Sequence, residues 1–246
     1  MKKILIITQK LDKNDDVLGF VTGWVSEFAK CADKVSVICL EKGEVDISDN
    51  IEVMSLGKEM GSSKIKYLIH FYKYIWQLRK SYTHVFVHMN PEYVVLGGIF
   101  WKIFSKKIAL WYAHGSVGPV LRVGIALSDI VFTSTKSGCR IENNKIRVIG
   151  QGIDTSIFKK EKCTPMNRDR FRIITVGRIS PSKKIEILIE AVEEVLKSKP
   201  NVEFIIVGGR GLAAHERYFE QIKKIVTDKN LQDKITFTGS VPNRNI

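Results

Sequence analysis

Residues 171–184 read Phe171-Arg-Ile-Ile-Thr-Val-Gly-Arg-Ile-Ser-Pro-Ser-Lys-Lys184 and decide the fold. The apolar and β-branched run from Ile173 to Val176 predicts a buried strand, which Gly177 ends. Pro181 suits the first turn of a helix, and the amphipathic pattern after it predicts a helix from about Ser182 to Ser198. A strand followed by a helix in this way is typical of a parallel α/β sheet, in which ligands bind at the carboxyl ends of the strands.

Two cations, Arg178 and Lys183, lie in the turn between this strand and this helix. A guanidinium and an ammonium beside a helix N-terminus suit a diphosphate, because the charges and the backbone N–H groups both attract anions. Charged residues on loops are also often simply solvated. The sequence that follows favours the first interpretation.

The strand–helix alternation continues to the end of the chain. Asn201-Val-Glu-Phe-Ile-Ile-Val-Gly-Gly-Arg-Gly211 predicts a second buried strand ending in glycines, a helix is predicted from about Ala213 to Lys229, and Lys234-Ile-Thr-Phe-Thr-Gly-Ser-Val-Pro242 predicts a third strand. The order Gly-Arg-x4-Lys, strand-Gly-Gly and Phe-Thr-Gly-x-Val-Pro resembles the donor-binding domain of family 4 glycosyltransferases. The resemblance implies an α/β protein of the GT-B fold, with two Rossmann-like domains of which the second is incomplete.

Residues 1–160 predict the N-terminal Rossmann-like domain, on the acceptor side. Strands are predicted at Lys3–Thr8, Lys34–Glu41, Ile51–Leu56, His84–Met89, Lys107–Tyr112, Asp129–Ser134 and Ile146–Gly150. Gln151-Gly-Ile-Asp-Thr-Ser-Ile-Phe158 resembles the segment that leads into the family's interdomain linker. Polar residues 161–170 predict that linker, and 171–246 a partial nucleotide-sugar-binding domain.

The resemblance implies a hexosyltransferase-like enzyme that transfers a sugar from a nucleotide diphosphate with retention of configuration. The departing diphosphate gains negative charge, which cations must meet. The expected catalytic residues are His114, Arg178 and Lys183, with His114 facing the donor sugar across the cleft. The residues expected to bind the donor are Gly19, Gly177, Gly208, Gly209, Gly239 and Val241. Lys184 departs from the glycine that the family often has there.

No metal or other cofactor is expected, since the sequence shows no Asp-x-Asp motif. The alternative of a dinucleotide-binding oxidoreductase is suggested by Gly209-x-Gly211-x-x-Ala214. That fingerprint also needs an acidic residue at the end of the next strand, and Phe237-Thr-Gly-Ser240 offers none. A sugar-nucleotide epimerase of the GT-B fold fits the Gly-Arg-x4-Lys pattern less well.

The family's Glu-x7-Glu motif does not occur in its usual context. Glu186 and Glu194 have the spacing, but they lie on the predicted helix after Lys183 and are interpreted as solvated. The chain ends at Ile246, before the place of that motif, so we expect a fragment whose own activity is in question. A non-catalytic nucleotide-binding or membrane-docking fragment therefore stays open as an alternative.

The net charge of +13 points to an anionic partner. The segment Lys64–Lys80 alternates aromatic residues with cations and predicts either a core-facing helix with a solvated basic face or a docking surface for anionic lipid headgroups. The resemblance adds a nucleotide sugar and a glycan or lipid-linked acceptor, in cell-envelope polysaccharide synthesis, whereas nucleic acid is not expected. Scattered cysteines and an N-terminus that reads as a strand predict a cytoplasmic protein, peripheral at the inner membrane face.

Overall fold

The computed structural model describes residues 2–15, 17–156, 158–159, 171–210 and 215–241. It divides into two compact units, residues 1–154 and 155–246. Several predicted features lie outside the described residues: the linker at 161–170, the glycine-rich stretch at 211–214 with the predicted helix start, and Pro242. Among the described helices, none combines the length and apolar character that crossing a bilayer requires.

A parallel sheet forms the centre of the first unit. Its strands are β1 (Lys3–Leu11), β2 (Lys34–Lys42), β3 (Ile51–Ser55), β4 (His84–His88), β5 (Lys107–Trp111), β6 (Ile130–Thr133) and β7 (Ile146–Val148). They pair in parallel in the order β3-β2-β1-β4-β5-β6-β7. The order reverses next to β1, as in doubly wound Rossmann-like sheets, and this confirms the predicted class of the unit.

Helices cover both faces of this sheet. They are α1 (Phe20–Cys31), α2 (Lys64–Gln77), α3 (Pro91–Ile103) and α4 (Pro119–Leu127). α1 packs on one face through Val21 and Val25. The other face is covered by α2, α3 and α4, which bury Phe71, Trp101 and Leu121 respectively. A sheet buried on both faces explains why its strands read as apolar runs in the sequence.

β1 is longer than predicted, since it ends at Leu11 and not at Thr8. Lys10 lies in the added part, and its ammonium pairs with Glu41 on β2 at 2.9 Å and with Asp15 in the following loop at 2.9 Å. Leu11 is buried. Ion pairing across the ladder therefore extends the strand through residues whose polarity predicts a loop.

The second unit contains a parallel sheet with helices packed on it. Its elements are β8 (Phe171–Val176), α5 (Ile185–Ser198), β9 (Val202–Val207), α6 (Glu216–Asp228) and β10 (Ile235–Gly239). The strand order is β10-β9-β8. The core contains Ile189 of α5, Phe204 of β9 and Ile222 of α6. The predicted β-α-β-α-β order is thus confirmed.

The predicted start of α5 at Ser182 is wrong. Pro181–Lys183 form a single turn of 3₁₀ helix, and Lys184 then adopts a left-handed conformation with φ 51° and ψ 47°. A left-handed residue cannot continue a right-handed helix, so α5 begins at Ile185. Lys183 consequently lies in a separate turn before the helix.

Candidate functional site

The carboxyl edge of the second sheet is built from glycine backbone. A Cβ added to Gly208, whose φ is +139°, would lie 2.1 Å from the carbonyl oxygen of Gly177. The N–H of Gly208 donates to the oxygen of Gly239 at 2.9 Å, and the N–H of Gly177 donates to Val207 at 2.9 Å. The ends of β8, β9 and β10 therefore meet at a distance that only glycine permits.

Two further donor-binding predictions lie at the same edge. The carbonyl oxygen of Gly209 accepts a hydrogen bond from the N–H of Ile179 at 2.8 Å, and a Cβ on Gly209 would lie 3.3 Å from the Cβ of Ser240. Val241 follows Ser240 and is half-buried. The edge thus has little side-chain cover, and a ligand can approach the main chain closely.

Arg178 and Lys183 supply positive charge at this edge. Arg178 follows Gly177 directly and is exposed. The Cε of Lys183 lies 3.6 Å from the place of a Cβ on Gly177, so the lysine stem lies over the glycine edge. Within the described residues neither side chain forms a hydrogen bond or an ion pair, whereas nearby Arg210 pairs with Glu216. Unpaired cations beside bare backbone are suited to bind a polyanionic ligand.

Glu186 is not the solvated helix residue that its spacing with Glu194 suggests. The Tyr218 hydroxyl donates to the Glu186 carboxylate, and this bond lowers the pKa of Glu186. The same hydroxyl oxygen accepts the N–H of Ile185 at 3.0 Å. Burial, then the bond to Glu186, raises the pKa of Tyr218 to about 12. Glu186 therefore ties α5 to α6, while Glu194 pairs with Lys197 at the surface.

His114 lies in the first unit, just beyond β5. Its backbone N–H donates to Gly138 at 2.7 Å, and its Nδ1 accepts the N–H of Ser116 at 3.2 Å. A neutral ring with Nδ1 as acceptor carries its proton on Nε2. His114 therefore has an N–H donor left for a ligand.

A pocket of about 310 Å³ adjoins this ring; its lining is Met89, Asn90, Pro91, Glu92, Tyr112 and His114. Asn90 and Glu92 begin α3 at the carboxyl end of β4, next to β5. An amide, a carboxylate and an imidazole at adjacent strand ends can hydrogen-bond sugar hydroxyls. The sequence analysis did not select Asn90, Glu92 or Tyr112. The available signal was the helix start at Asn90-Pro91, directly after a predicted strand.

Gly19 has a structural reason to be glycine. A Cβ there would lie 2.6 Å from the carbonyl oxygen of Asp15, and the N–H of Gly19 donates to that oxygen at 3.0 Å. The Asp15 carboxylate accepts the N–H of Leu18 at 2.7 Å and pairs with Lys10. The packing of this loop accounts for the glycine without a ligand. Among the described residues, no group of three metal-ligating side chains converges.

Comparisons with known proteins bear on the class. Residues 156–246 match the family described as glycosyl transferases group 1. A phosphatidylinositol N-acetylglucosaminyltransferase of Arabidopsis thaliana is 32% identical over 102 residues, which is 42% of this chain and 21% of that protein. The GDP-mannose-dependent alpha-(1-6)-phosphatidylinositol monomannoside mannosyltransferase of Mycobacterium tuberculosis is 24% identical over 157 residues, which is 56% of this chain and 39% of that protein.

A solved structure shows the same fold. The crystal structure of Anabaena HepE in complex with UDP and glucose superposes with a TM-score of 0.70 at 18% identity, covering 98% of this chain and 70% of that one. The resemblance inferred from the sequence is confirmed: the chain has the GT-B fold, and its second unit belongs to the group 1 glycosyl transferases. The matched segments span about a fifth to two fifths of the length of the two curated relatives.

Proposed function

We propose that this protein is a retaining glycosyltransferase, which moves a sugar from a nucleotide diphosphate sugar to a glycan or lipid-linked acceptor in cell-envelope polysaccharide synthesis. The observation that carries the proposal is the pair of unpaired cations, Arg178 and Lys183, over the glycine edge of β8–β10. The names of the relatives support it, since one is a GDP-mannose-dependent mannosyltransferase and the other an N-acetylglucosaminyltransferase.

The proposed reaction depends on charge at the leaving group. As the anomeric bond to phosphate breaks, negative charge builds on the diphosphate, and Arg178 and Lys183 stabilise it. Because Gly177 and Gly208 lack side chains, the diphosphate can lie against the backbone, with the base beside Gly239 and Val241. His114, through its Nε2–H, contacts the donor sugar. Since the cations carry the charge compensation, we propose that the reaction needs no divalent metal.

The acceptor side of the proposal rests on chemistry and on the names of the relatives. Both curated relatives are named for phosphatidylinositol compounds. We propose a lipid-linked or envelope-glycan acceptor, and a cytoplasmic enzyme attached peripherally to the inner membrane face through Lys64–Lys80. The pocket beside His114 is the proposed place of the acceptor hydroxyl, because Asn90 and Glu92 supply hydrogen-bonding groups there.

The first prediction concerns the diphosphate site. Arg178→Ala should weaken the binding of UDP or GDP by about tenfold to two-hundredfold, the equivalent of about 1.5–3 kcal/mol for hydrogen bonds to charged groups. Isothermal titration calorimetry on the purified chain measures the affinity directly. We expect Lys183→Ala to act in the same direction.

Arg172→Ala is the matched control for Arg178→Ala. Arg172 is an arginine of the neighbouring strand β8, but its guanidinium pairs with Glu203 at 3.1 Å, near the opposite end of that strand. Its removal should leave nucleotide affinity unchanged. Equal affinities for wild type and Arg178→Ala would remove Arg178 from the site, and the proposed function would lose the observation that carries it.

A further inference from the structure

The outer side of α2 carries an uncovered apolar stripe. Ile65, Ile69, Tyr72 and Trp76 follow one another at intervals of four, three and four residues, which places them along one side of the helix. Ile65 is 72% exposed and Trp76 53% exposed. The core contacts of α2 come from a different side, through Phe71 and others. The helix thus has an apolar stripe that the first unit leaves in solvent.

α3 carries a second stripe of the same kind. Leu96, Ile99 and Ile103 follow at intervals of three and four residues. Ile99 is 65% exposed and Ile103 72% exposed. The buried residues of α3, among them Val94 and Trp101, lie toward the sheet. Residues as apolar as isoleucine at such exposure, in rows on two helices, mark an interaction surface.

Direct contacts join the two stripes. The Tyr72 hydroxyl donates to the carbonyl oxygen of Leu96 at 3.1 Å. The Trp76 ring lies 6.1 Å from Phe100 and 6.0 Å from Phe104, measured between ring centroids. The α2–α3 surface is therefore one continuous patch, defined by Ile65, Ile69, Tyr72, Trp76, Leu96, Ile99 and Ile103.

Uncompensated lysines border this surface. Lys66, Lys73 and Lys80 are spaced by seven residues, so they line up beside the α2 stripe. α2 contains no acidic residue, and in the described part of the chain none of these lysines forms an ion pair. Exposed lysines elsewhere are paired: Lys30 with Glu27, Lys34 with Glu52, Lys197 with Glu194 and Lys223 with Glu220. The unpaired charge is thus concentrated where the apolar residues are exposed.

We infer that the α2–α3 surface binds an anionic lipid bilayer, with Ile99 and Ile103 of α3 entering the boundary of the acyl chains and the lysines of α2 at the level of the phosphates. Apolar residues beside uncompensated lysines match a bilayer, which offers both phosphates and hydrocarbon. This inference deepens the proposed attachment through Lys64–Lys80 and rests on it. Its new content is that α3 supplies the apolar insertion, so the cations do not act alone.

Vesicle flotation separates the two contributions. Wild type should bind vesicles of phosphatidylglycerol and phosphatidylcholine and should retain part of this binding at high salt, because apolar insertion is not screened. Ile99→Ser combined with Ile103→Ser should weaken binding by about tenfold or more and make the remainder fully salt-sensitive. Lys66→Glu, Lys73→Glu and Lys80→Glu together should weaken it by about a hundredfold or more, at roughly 1 kcal/mol for each cation near the surface.

The matched control is Ile149→Ser combined with Ile187→Ser. Both isoleucines are more than half exposed and lie outside α2 and α3. This variant should bind vesicles as wild type does. All variants should keep their UDP affinity, which reports on the second unit and separates loss of docking from failure of the proposed donor site.

Trp76 gives an independent reading of depth. Trp24, Trp101 and Trp111 are less exposed, so lipids brominated on the acyl chains should quench mainly Trp76, and Trp76→Phe should abolish most of the quenching. Wild-type vesicle binding by the α3 pair variant, or the absence of quenching in bound wild type, would overturn the inference. A dimer in solution that dissociates in the α3 pair variant would also overturn it, because the surface would then cover a second copy.

Discussion

At the scale of single residues, Lys184 holds the least favourable backbone conformation near the candidate donor site. Its φ of 51° and ψ of 47° belong to the left-handed region, which costs a residue with a side chain about 1–2 kcal/mol. The conformation lets the 3₁₀ turn Pro181–Lys183 end before α5 begins at Ile185. It also explains why glycine, which the resemblance leads one to expect here, suits this position.

Lys184→Gly should therefore stabilise the second unit. The gain should be about 0.5–1 kcal/mol in the free energy of unfolding, because relief of the left-handed strain exceeds the entropy that glycine adds to the unfolded chain. Urea denaturation followed by far-UV circular dichroism measures it. Lys183→Gly, one residue earlier at negative φ, should give no gain. A loss of stability in Lys184→Gly would show that the lysine side chain itself stabilises the turn.

The same scale shows what a single residue can reveal in advance. Gly208 ends a predicted buried strand, and its role at a close backbone approach could be predicted from that position and from the resemblance. Gly19 could not be assigned in this way, because a turn glycine and a ligand-binding glycine look alike in sequence. Only the packing against Asp15 supplies the structural reason.

At the scale of elements, Tyr218 joins the two helices of the second unit. Its hydroxyl donates to Glu186 and accepts the N–H of Ile185, the first residue of α5. Helix N-termini leave backbone donors unsatisfied, and a buried donor without a partner costs about 1–3 kcal/mol. Tyr218 therefore caps α5 from α6, over a sequence separation of 33 residues.

Tyr218→Phe should lower the free energy of unfolding by about 1–3 kcal/mol, since it leaves the Ile185 N–H without its acceptor. Urea denaturation gives the magnitude, and hydrogen exchange should show faster exchange in the first turn of α5. Tyr67→Phe serves as the control, because the Tyr67 hydroxyl forms no hydrogen bond within the described residues. Unchanged exchange at Ile185 would contradict the capping role.

Element-scale patterns predicted much of the architecture and missed what depends on contacts between elements. The apolar runs predicted the parallel strands of both units because buried strands are apolar on both faces. The end of β1 was missed, since Lys10 is stabilised there by Glu41, a residue of the neighbouring strand. The docking prediction from Lys64–Lys80 found α2 but not α3, because periodicity shows which residues are apolar and not which of them stay uncovered.

At the scale of the whole molecule, each unit has its own core, and the tryptophans report on one of them. Trp24, Trp76, Trp101 and Trp111 all lie in the first unit. Tryptophan fluorescence therefore follows the unfolding of that unit, while circular dichroism follows both. This separation makes it possible to assign a change in stability to one unit of the intact chain.

His88 makes the stability of the first unit depend on pH. Its buried ring packs edge-on against Phe20 and Trp24, its Nδ1 lies 3.3 Å from the Thr8 hydroxyl oxygen, and burial lowers its pKa from 6.5 to about 4. Between these two values the unfolded chain binds a proton that the folded unit excludes. The stabilising effect of the neutral ring is therefore complete above about pH 6.5 and is lost progressively as the pH falls toward 4.

The tryptophan-monitored free energy of unfolding should accordingly fall by about 2 kcal/mol from pH 7.5 to pH 5 through this group alone. In His88→Asn, which cannot titrate, that part of the decrease should disappear, although the variant is less stable at every pH. His84→Asn removes an exposed histidine from the same strand and should keep the wild-type pH dependence. If His88→Asn and wild type lose stability equally between these pH values, the folded unit must accommodate a charged His88, and burial would not be the cause of its acid sensitivity.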